Sequence, residues 1–520
     1  MDCFLQRHAS AVTGWVSGFD RMRFRGTLRM LANVCGMGRF LSYTGRLLKD
    51  FGTFVEQSSQ MIRQASLEVA ESSGRPVVHV RSPSVCKEDL ARQIAARDGI
   101  TDGLICILTA VEACGSYAIR PDRASRKLVL THAPRRCLHL YHYFMHHTFG
   151  FMHVRLQTWL PLGLWPCING REWLGRQLDQ AGVGYVRRDN CFTHIDDIDA
   201  ARAMLEQQVR FAWEPALAEL ARQVNPALRR LLGDWNVDYY WSLEESEWAT
   251  DVMFQSPAAL SSLYPSLVHH GMLGLRCPDV LRFLGQPVRA DGRLYGADRR
   301  ELAADVKTRH EGVRLKHRAG RNSVKMYDKQ GSVLRVETTL NDMRQLKAPA
   351  RGTGKNAGKT VWRKMRKGVS DIARRAQVSD AANRRYLEAV SAVESPVPLR
   401  TLTDSLGEPT MWHNRRVRGL NLLGGDTRLL ESVSGGELLV HGFRNRDLQQ
   451  ALYDKPPADE RDARRRAGRV TRQIRLLRAH GLVRKIPRTH RYMVTFRGRQ
   501  LLSALQSARK ADIHKLLKAA

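Results

Sequence analysis

Residues 462–480 read Asp-Ala-Arg-Arg-Arg-Ala-Gly-Arg-Val-Thr-Arg-Gln-Ile-Arg-Leu-Leu-Arg-Ala-His, a stretch with two chemically distinct faces. Its apolar residues recur at steps of four and three, at Ala463, Ala467, Val470, Ile474 and Leu477. This spacing places them on one side of an α-helix. The other side carries arginines, namely Arg464, Arg465, Arg466, Arg469, Arg472 and Arg475. Gly481 stands where a helix usually ends, so the stretch predicts one long helix with a packed face and a cationic face.

The segments on either side of this helix predict a small basic domain. Residues 445–453 have the pattern of a short helix, and a turn with two prolines separates it from the long one. Residues 482–487 and 490–495 predict two strands around a basic turn, and a last helix begins near Gly498. The cations of this hairpin are candidate phosphate contacts: Arg484, Lys485, Arg488 and Arg491.

This order of short helix, long basic helix and basic hairpin resembles the winged helix-turn-helix domains of bacterial transcription regulators. The phrases Leu-Leu-Arg-Ala-His-Gly-Leu-Val-Arg-Lys (residues 476–485) and Arg-Tyr-Met-Val-Thr (491–495) are typical of that family, and the resemblance covers about residues 442–508. It implies that the arginine face enters a DNA major groove and that the hairpin contacts phosphate. From Gly442 onward the sequence has 21 Lys and Arg against 6 Asp and Glu, which favours nucleic acid over the alternative, a protein partner.

The composition of the whole chain points the same way. Its 520 residues carry 84 Lys and Arg against 51 Asp and Glu, a formal charge of +33. Such a surplus repels itself in a folded protein, so we expect a polyanionic partner, DNA rather than RNA; the alternative is a solvated basic surface without a specific partner. We expect no membrane partner, because the sequence has no long apolar run and no signal-like start. The nine cysteines form no CxxC pair, which argues for reduced thiols in the cytoplasm.

The fold class expected from the pattern is an α/β mixed sheet with additional helical regions. Strands and helices alternate in residues 1–200, where 51–72, 87–97 and 170–181 read as helices and 76–80, 103–111 and 149–159 as strands. The central region, 201–346, contains helices and a meander. The helical pattern begins slightly earlier and covers 196–285, and the meander has three strands at 312–317, 323–327 and 333–340. Residues 369–441 predict further helix and a linker, and 442–520 the winged helix.

Residues 347–368 differ from their surroundings in composition. The stretch 347–367 is rich in Gly and basic residues and contains no acid, so it predicts a flexible basic loop. Such a loop either becomes ordered on a phosphate backbone or serves as a plain linker, and both interpretations stay open. Its likeness to a phosphate-binding Walker A loop is superficial, because the spacing is one residue short and no strand precedes it.

A tyrosine segment at residues 322–340, Asn-Ser-Val-Lys-Met-Tyr-Asp-Lys-Gln-Gly-Ser-Val-Leu-Arg-Val-Glu-Thr-Thr-Leu, carries a second resemblance. It resembles a segment of the rolling-circle replication initiators of small plasmids and filamentous phages. The resemblance implies that Tyr327 attacks a DNA phosphate, that Lys329 and Arg335 clamp that phosphate, and that Glu337 holds a metal. The alternative is a strand tyrosine that packs at a domain edge or contacts phosphate. The His-hydrophobic-His metal motif of such initiators is missing from this sequence.

Three further acids are candidate metal ligands. Residues 239–251 are read as helical, and Glu247 and Asp251 then share one helix face. Asp20 lies in a segment that reads as an early strand, between basic residues. With Glu337 these acids would make a site for Mg²⁺ or Mn²⁺ if the fold brings them together; the alternative for each is an ion pair with a nearby arginine.

These observations predict a DNA-binding protein of a mobile element. It would be a metal-dependent tyrosine endonuclease or strand-transferase, similar to replication initiators or transposases. The alternative is a non-enzymatic DNA- or RNA-binding regulator, and the oligomeric state stays open. The whole chain is also similar to a group of uncharacterised bacterial proteins that share phrases at residues 17–21, 169–174, 185–192 and 322–329.

Overall fold

The computed structural model describes the chain over most of its length. The described ranges are 1–235, 237–273, 275, 277–286, 302–343, 346–351, 358, 360–391, 399–434, 438, 442–487, 489–495, 497–499, 501–502 and 504–505. Arg488, one of the predicted phosphate contacts, lies outside these ranges. Within them, no helix combines the length and the apolar character needed to cross a bilayer.

Fifteen α-helices and nineteen strands are described within these ranges. The helices are α1 (Asp2–Arg7), α2 (Val34–Tyr43), α3 (Phe51–Ser72), α4 (Lys87–Arg97), α5 (Gly170–Ala181), α6 (Ile198–Arg210), α7 (Trp213–Val224), α8 (Leu228–Leu232), α9 (Pro257–Leu273), α10 (Cys277–Phe283), α11 (Ile372–Val390), α12 (Leu399–Gly407), α13 (Thr427–Val433), α14 (Asn445–Leu452) and α15 (Glu460–Ala479). The predictions for residues 51–72, 87–97 and 170–181 agree with α3, α4 and α5 to the residue.

The strands are β1 (Val12–Thr27), β2 (Val77–His79), β3 (Gly103–Asp122), β4 (Lys127–His146), β5 (Gly150–Gln157), β6 (Leu164–Asn169), β7 (Tyr185–Arg188), β8 (Cys191–Ile195), β9 (Tyr240–Phe254), β10 (Leu302–Arg309), β11 (Gly312–Ala319), β12 (Asn322–Lys329), β13 (Val333–Leu340), β14 (Lys347–Arg351), β15 (Thr360–Lys364), β16 (Thr410–Trp412), β17 (Arg415–Val417), β18 (Val483–Lys485) and β19 (Tyr492–Val494). Eleven of them form one large mixed sheet, which confirms the predicted α/β class.

The chain divides into two compact units. Unit 1 comprises residues 1–15, 250–338 and 378–520, and unit 2 comprises residues 16–249 and 339–377. In unit 2 the sheet runs in the order β2, β3, β4, β5, β6, β1. The β2–β3 pair is parallel, and the β3–β4 pair is antiparallel over almost its whole length, from Gly103 opposite Met145 to Asp122 opposite Lys127. The sequence predicted only the buried first half of β3, because its second half carries more exposed residues.

In unit 1, β10, β11, β12 and β13 follow one another in the sheet as a meander, which confirms the prediction of three short strands there and adds β10. One face of this meander is apolar. Leu315, Met326 and Val336 belong to a buried cluster that also contains Leu263 of α9 and Tyr386 of α11. Side chains alternate along a strand, so the residues between these positions face the other way.

Three predictions of local structure are wrong. Residues 240–254 form strand β9 and not the predicted helix. Both ends of the predicted basic loop are paired strands, β14 and β15, while residues 352–357 and 359 lie outside the described ranges. The segment expected to link the central region to the last domain holds α12, the β16–β17 hairpin and α13. In each case pairing between strands or packing of the core outweighed the secondary structure that the local composition favours.

At the end of unit 1, α13, α14 and α15 precede a hairpin of β18 and β19. Leu448 of α14, Val470 and Ile474 of α15 and Val483 of β18 belong to one buried cluster. Phe443 adds an isolated antiparallel bridge to Tyr492 beside the hairpin. The predicted short helix, long helix and hairpin are therefore present in that order, and the apolar stripe of the long helix faces this core.

Strand β4 buries a histidine completely. His142 lies opposite Ile107 of β3 and Val154 of β5, and its side chain is fully buried. Burial disfavours the charged imidazolium and lowers the pKa of His142 to about 3. In the unfolded chain the same imidazole titrates near its ordinary pKa of about 6.5. The unfolded state therefore takes up a proton over a pH range in which the folded state does not.

We predict that this histidine makes the fold sensitive to acid. Its contribution to stability is fully present above about pH 6.5 and is lost as the pH falls towards 3, at up to about 1.4 kcal/mol per pH unit. In His142→Leu, the free energy of unfolding in urea should fall less steeply between pH 6.5 and 4 than in the unchanged chain. The matched change at exposed His310 should leave the slope unaltered. Equal slopes in all three proteins would contradict the prediction.

Candidate functional site

Two acids from distant parts of the sequence form a buried carboxylate pair in unit 2. Asp20 lies on β1 and Glu247 on β9, with only 5% and 8% of their surfaces exposed. A carboxylate oxygen of each lies within 4.8 Å of the other. Two like charges this close repel each other at low dielectric, so such a pair requires cations nearby. This separation is also compatible with both oxygens ligating one divalent cation.

The protein supplies positive charge and a hydrogen-bond donor around Asp20. Arg171, whose side chain is fully buried, has its Nε 3.8 Å from Asp20 Oδ1 and donates from Nη2 to the carbonyl of Ala249 at 3.1 Å. Asn190 donates from Nδ2 to Asp20 Oδ1 at 2.8 Å. These contacts fix the orientation of the carboxylate, as the groups that surround metal ligands in proteins do.

Local structure explains why Arg171 reaches this position. Asn169 caps α5 by accepting hydrogen bonds from the backbone of Arg171 and Glu172, so the helix begins just beside β1. A Cβ on Gly170 would lie 1.8 Å from the carbonyl oxygen of Phe19, so only glycine permits this close approach. The first turn of α5 is thereby held next to the strand residue that precedes Asp20.

The second acid of the pair has a more exposed partner. Arg21 has its Nη2 3.1 Å from Glu247 Oε1 and 3.1 Å from Glu245 Oε1, and nearly half of its side chain is exposed. Thr339 also donates to Glu247, at 3.4 Å. Glu247 is thus in contact with a half-exposed cation, whereas Asp20 lies beside a buried one.

Unit 1 carries the remaining residues predicted for the site on a polar sheet face. Lys325, Tyr327 and Lys329 alternate along β12 and share one side of the strand. Lys325 donates to Glu337 of β13 at 2.5 Å, and both side chains are buried. Lys329 lies 3.3 Å from Glu311. Lys329, predicted to clamp phosphate, therefore pairs with an acid of the β10–β11 turn, and Glu337, predicted to hold a metal, pairs with Lys325 of the neighbouring strand.

The phenol of Tyr327 lies in this polar face with 7% of its surface exposed. Burial, with the nearby Glu337 carboxylate, raises the pKa of Tyr327 to about 12. The phenol is therefore neutral at pH 7 and donates a proton before it can act as a nucleophile. Lys325 and Arg314 oppose this rise without cancelling it.

Asp251 and Arg335 form a buried two-point ion pair. Arg335 donates from Nε to Asp251 Oδ1 at 2.6 Å and from Nη2 to Oδ2 at 2.9 Å, and both side chains are almost fully buried. Asp251 was predicted as a metal ligand and Arg335 as a phosphate clamp; the structure pairs them with each other. Asp251 and Glu247 share one face of strand β9, although the sequence predicted that they share one face of a helix. Residues four apart lie on the same side in a strand as well as in a helix.

Three residues around these acids were missed by the sequence reasoning. Arg171, Asn190 and Lys325 lie in the segments 169–174, 185–192 and 322–329, and the sequence reasoning gave none of the three a role. Lys325 stands two residues before Tyr327 on the predicted strand, so the alternation of side chains could have placed both on the same face. For Arg171 and Asn190 no local pattern pointed to the site, because their approach to Asp20 depends on how distant segments fold together.

The six arginines predicted for the cationic face of α15 fall into two groups: three that pair with acids near the start of the helix and three that do not. Arg464 and Arg465 pair with Glu460 and Asp462 of the same helix. Arg466 is mostly buried, pairs with Asp462 at 2.7 Å and lies over the ring of Tyr453, so it serves the packing of the domain.

The other three arginines of the predicted face, Arg469, Arg472 and Arg475, are exposed and form no ion pair with any residue in the described ranges. In the hairpin, Arg484 and Lys485 of β18 are exposed, while Arg491 is half-buried and donates to the carbonyl of Gly442 at 3.2 Å. Within the described ranges, Arg469, Arg472 and Arg475 therefore form a row of cations without ion pairs on the long helix, and Arg484 and Lys485 add exposed cations on the hairpin.

No protein-family model matches this chain, and no curated protein or solved structure matches it either.

We predict that the Asp251–Arg335 pair is a strong structural contact. Asp251→Asn leaves the Arg335 guanidinium buried with a neutral partner, which should lower the free energy of unfolding by about 3–5 kcal/mol. The matched control is Asp380→Asn, which breaks the more exposed Arg384–Asp380 pair of α11 and should cost less than about 1 kcal/mol. Urea unfolding followed by tryptophan fluorescence measures both; equal losses would show that burial does not strengthen the pair.

Proposed function

We propose that this chain is a DNA-binding protein of a mobile element that cleaves or transfers a DNA strand with the help of a divalent metal. The observation that carries this proposal is the buried pair of Asp20 and Glu247 in a chain of charge +33. A buried acid pair is unfavourable unless cations compensate it. In a protein with this excess of Lys and Arg, each acid could instead form a separate ion pair with a basic side chain. Keeping two carboxylates together supports a role in holding Mg²⁺ or Mn²⁺.

In this proposal Asp20 and Glu247 ligate the metal, and Asn190 and Arg171 hold the Asp20 carboxylate in its orientation. A divalent cation at this position would polarise a phosphate oxygen and lower the charge repulsion that opposes attack on phosphorus. Arg21, which contacts Glu247 and is partly exposed, is the proposed cation for a phosphate bound at this site.

Tyr327 is the proposed nucleophile. In the attack, the phenol oxygen forms a bond to phosphorus, its proton passes to a carboxylate, and the bond from phosphorus to the departing strand oxygen breaks. Glu337 is the proposed proton acceptor, because it shares the polar face with Tyr327 and its charge acts on the phenol. The departing oxygen takes up a proton, so charge and atoms balance.

We further propose that α14, α15 and the β18–β19 hairpin act as a winged helix-turn-helix. The order of elements supports this, as do the exposed side chains of Arg469, Arg472 and Arg475 on the long helix. By the geometry of helix-turn-helix proteins, such a helix lies in the major groove while the hairpin contacts the backbone. Arg484 and Lys485 are the hairpin cations that carry this second role.

The alternative function is a nucleic-acid-binding regulator without catalysis. A specific observation favours it: Tyr327 is largely buried and its pKa is raised, which is the reverse of an activated phenol. In that case the ion pairs of Lys325 with Glu337 and of Arg335 with Asp251 stabilise the sheet and nothing more.

Metal binding tests the carboxylate pair directly. We expect the full chain to bind about one Mn²⁺ per molecule at this pair, followed by the loss of the free Mn²⁺ paramagnetic resonance signal. Asp20→Asn and Glu247→Gln should each weaken binding at least about tenfold, because each removes one charged ligand. Asp98→Asn, which changes an acid paired with Arg75 and Arg97 in the same unit, should leave the affinity unchanged. Equal Mn²⁺ affinity in Asp20→Asn would refute the site.

Incubation with labelled single- and double-stranded DNA in Mg²⁺ or Mn²⁺ tests catalysis and binding together. We expect a covalent protein–DNA adduct that is lost in Tyr327→Phe while DNA affinity stays the same. Binding without any adduct or cleavage would support the regulator instead.

Duplex DNA affinity is measured for the double variant Arg469→Ala/Arg472→Ala of α15. The control is the double variant Arg202→Ala/Arg222→Ala, which removes one arginine each from α6 and α7. The first pair should weaken duplex binding and lower the slope of log affinity against log salt by about 1.8, since each lost phosphate contact removes roughly 0.9. The control pair should bind like the unchanged chain. If the slopes are the same, the face of α15 does not contact DNA.

A further inference from the structure

The hairpin of β14 and β15 exposes a large aromatic side chain. Trp362 lies on β15, opposite Pro349, and 69% of its surface is exposed to solvent. An indole this exposed leaves a large apolar area in water, which is unfavourable unless a partner covers it. Exposed aromatic rings on basic proteins are the stacking platforms on which single-stranded nucleic acids place their bases.

The residues around Trp362 are strongly basic. The stretch 347–367 contains eight Lys and Arg and no Asp or Glu. Arg363 and Lys364 follow Trp362 directly, and both are exposed. Because side chains alternate along a strand, Lys364 shares the face of the tryptophan ring.

A cleft of about 590 Å³ lies at the end of this hairpin, lined by Arg363, Lys364, Arg366, Ser370, Asp371 and Arg374. Its one acid is already engaged: Asp371 accepts a hydrogen bond from the backbone of Arg366 at 2.7 Å and one from the side chain of Arg374. Four cations against one engaged carboxylate give the cleft a positive potential that suits a phosphate group.

We propose that this hairpin binds single-stranded nucleic acid. A base stacks on the indole of Trp362, and the phosphates beside it lie against Arg363, Lys364 and the cations of the cleft. A single strand fits better than a duplex, because in a duplex the base faces are already stacked and out of reach of the ring. A protein partner fits less well, because the cations beside the ring call for a polyanion.

This surface differs from the proposed major-groove contact of α15, and the proposal does not depend on metal chemistry. In a cleavage or strand-transfer reaction it would hold the displaced or single-stranded part of the substrate. In a regulator it would bind an unpaired region of the same target. The two surfaces therefore predict separate effects on single-stranded and double-stranded ligands.

The test measures fluorescence anisotropy of the full chain with a labelled oligothymidylate of about 20 nucleotides and with a duplex of the same length, in EDTA so that no metal takes part. We expect Trp362→Ala to weaken binding of the single strand roughly tenfold or more, which is the loss of one stacked base. Trp362→Phe keeps a ring and should retain most of the affinity. Duplex binding should change little in either variant.

A second variant tests the phosphate contacts. Arg363→Ala/Lys364→Ala should lower the salt slope for the single strand by about 1.4, since each phosphate contact contributes roughly 0.7 on single strands. The matched control is Arg123→Ala/Lys127→Ala, which removes two exposed cations from the β3–β4 hairpin of the same unit. This control should bind like the unchanged chain.

Two results would overturn the proposal, and a third would support it. Single-strand affinity that is unchanged in Trp362→Ala would show that the ring takes no base and would leave a protein partner as its cover. Equal losses in Trp362→Ala and Trp362→Phe would show that stacking is not the cause. Loss of duplex binding alone in Arg469→Ala/Arg472→Ala, with single-strand binding intact, would support two separate surfaces, whatever the outcome of the metal test.

Discussion

The carboxylate of Asp20 lies on a strand, almost out of contact with water, and side chains from two other segments of unit 2 compensate its charge. A buried carboxylate is costly by several kcal/mol unless cations and hydrogen-bond donors replace its hydration. Arg171 and Asn190 supply both, and each depends on a local feature of the chain. The approach of α5 requires Gly170, and its first turn requires the cap from Asn169. These contacts hold the Asp20 carboxylate close to that of Glu247, and this pair of like charges is the observation behind the proposed metal site.

The polar sheet face of unit 1 follows the same rule with a different result. Each acid there has a direct cationic partner, Lys325 for Glu337 and Arg335 for Asp251, so the face is close to neutral without a ligand. The apolar core on the other side of the same strands keeps the meander in register. Tyr327 occupies a neutral, dry environment in which its phenol stays protonated, and any chemistry by this tyrosine requires a change in the charges around it.

The large positive charge of the chain is spread over two kinds of position. Some arginines, such as Arg171 and Arg335, neutralise buried acids and add nothing to the outer surface. Others have no acidic partner in the described part of the chain, such as Arg469 and Arg472 on α15. Only the second kind contributes to the attraction of a polyanion, so net charge alone overstates the binding surface and the arrangement of exposed cations defines it.

The sequence alone determined the elements whose signals are local. Helices α3 and α5 were predicted to the residue, because apolar periodicity and end signals lie within each segment. The meander and the helix–helix–hairpin order of the last domain followed for the same reason. Candidate acids such as Asp20 and Glu247 could be named from their types and neighbours.

Only the tertiary structure decided how those acids are used. Residues 240–254 contain acids spaced four apart, which suit a helix and a strand equally, and pairing within the large sheet made them a strand. Asp20 and Glu247 stand more than 200 residues apart in the sequence, so no local pattern could join them. Which acid meets another acid and which meets an arginine depends on sheet order and on the direction of each side chain. Those are set by the burial of the whole core, and therefore by contacts that no single stretch of sequence contains.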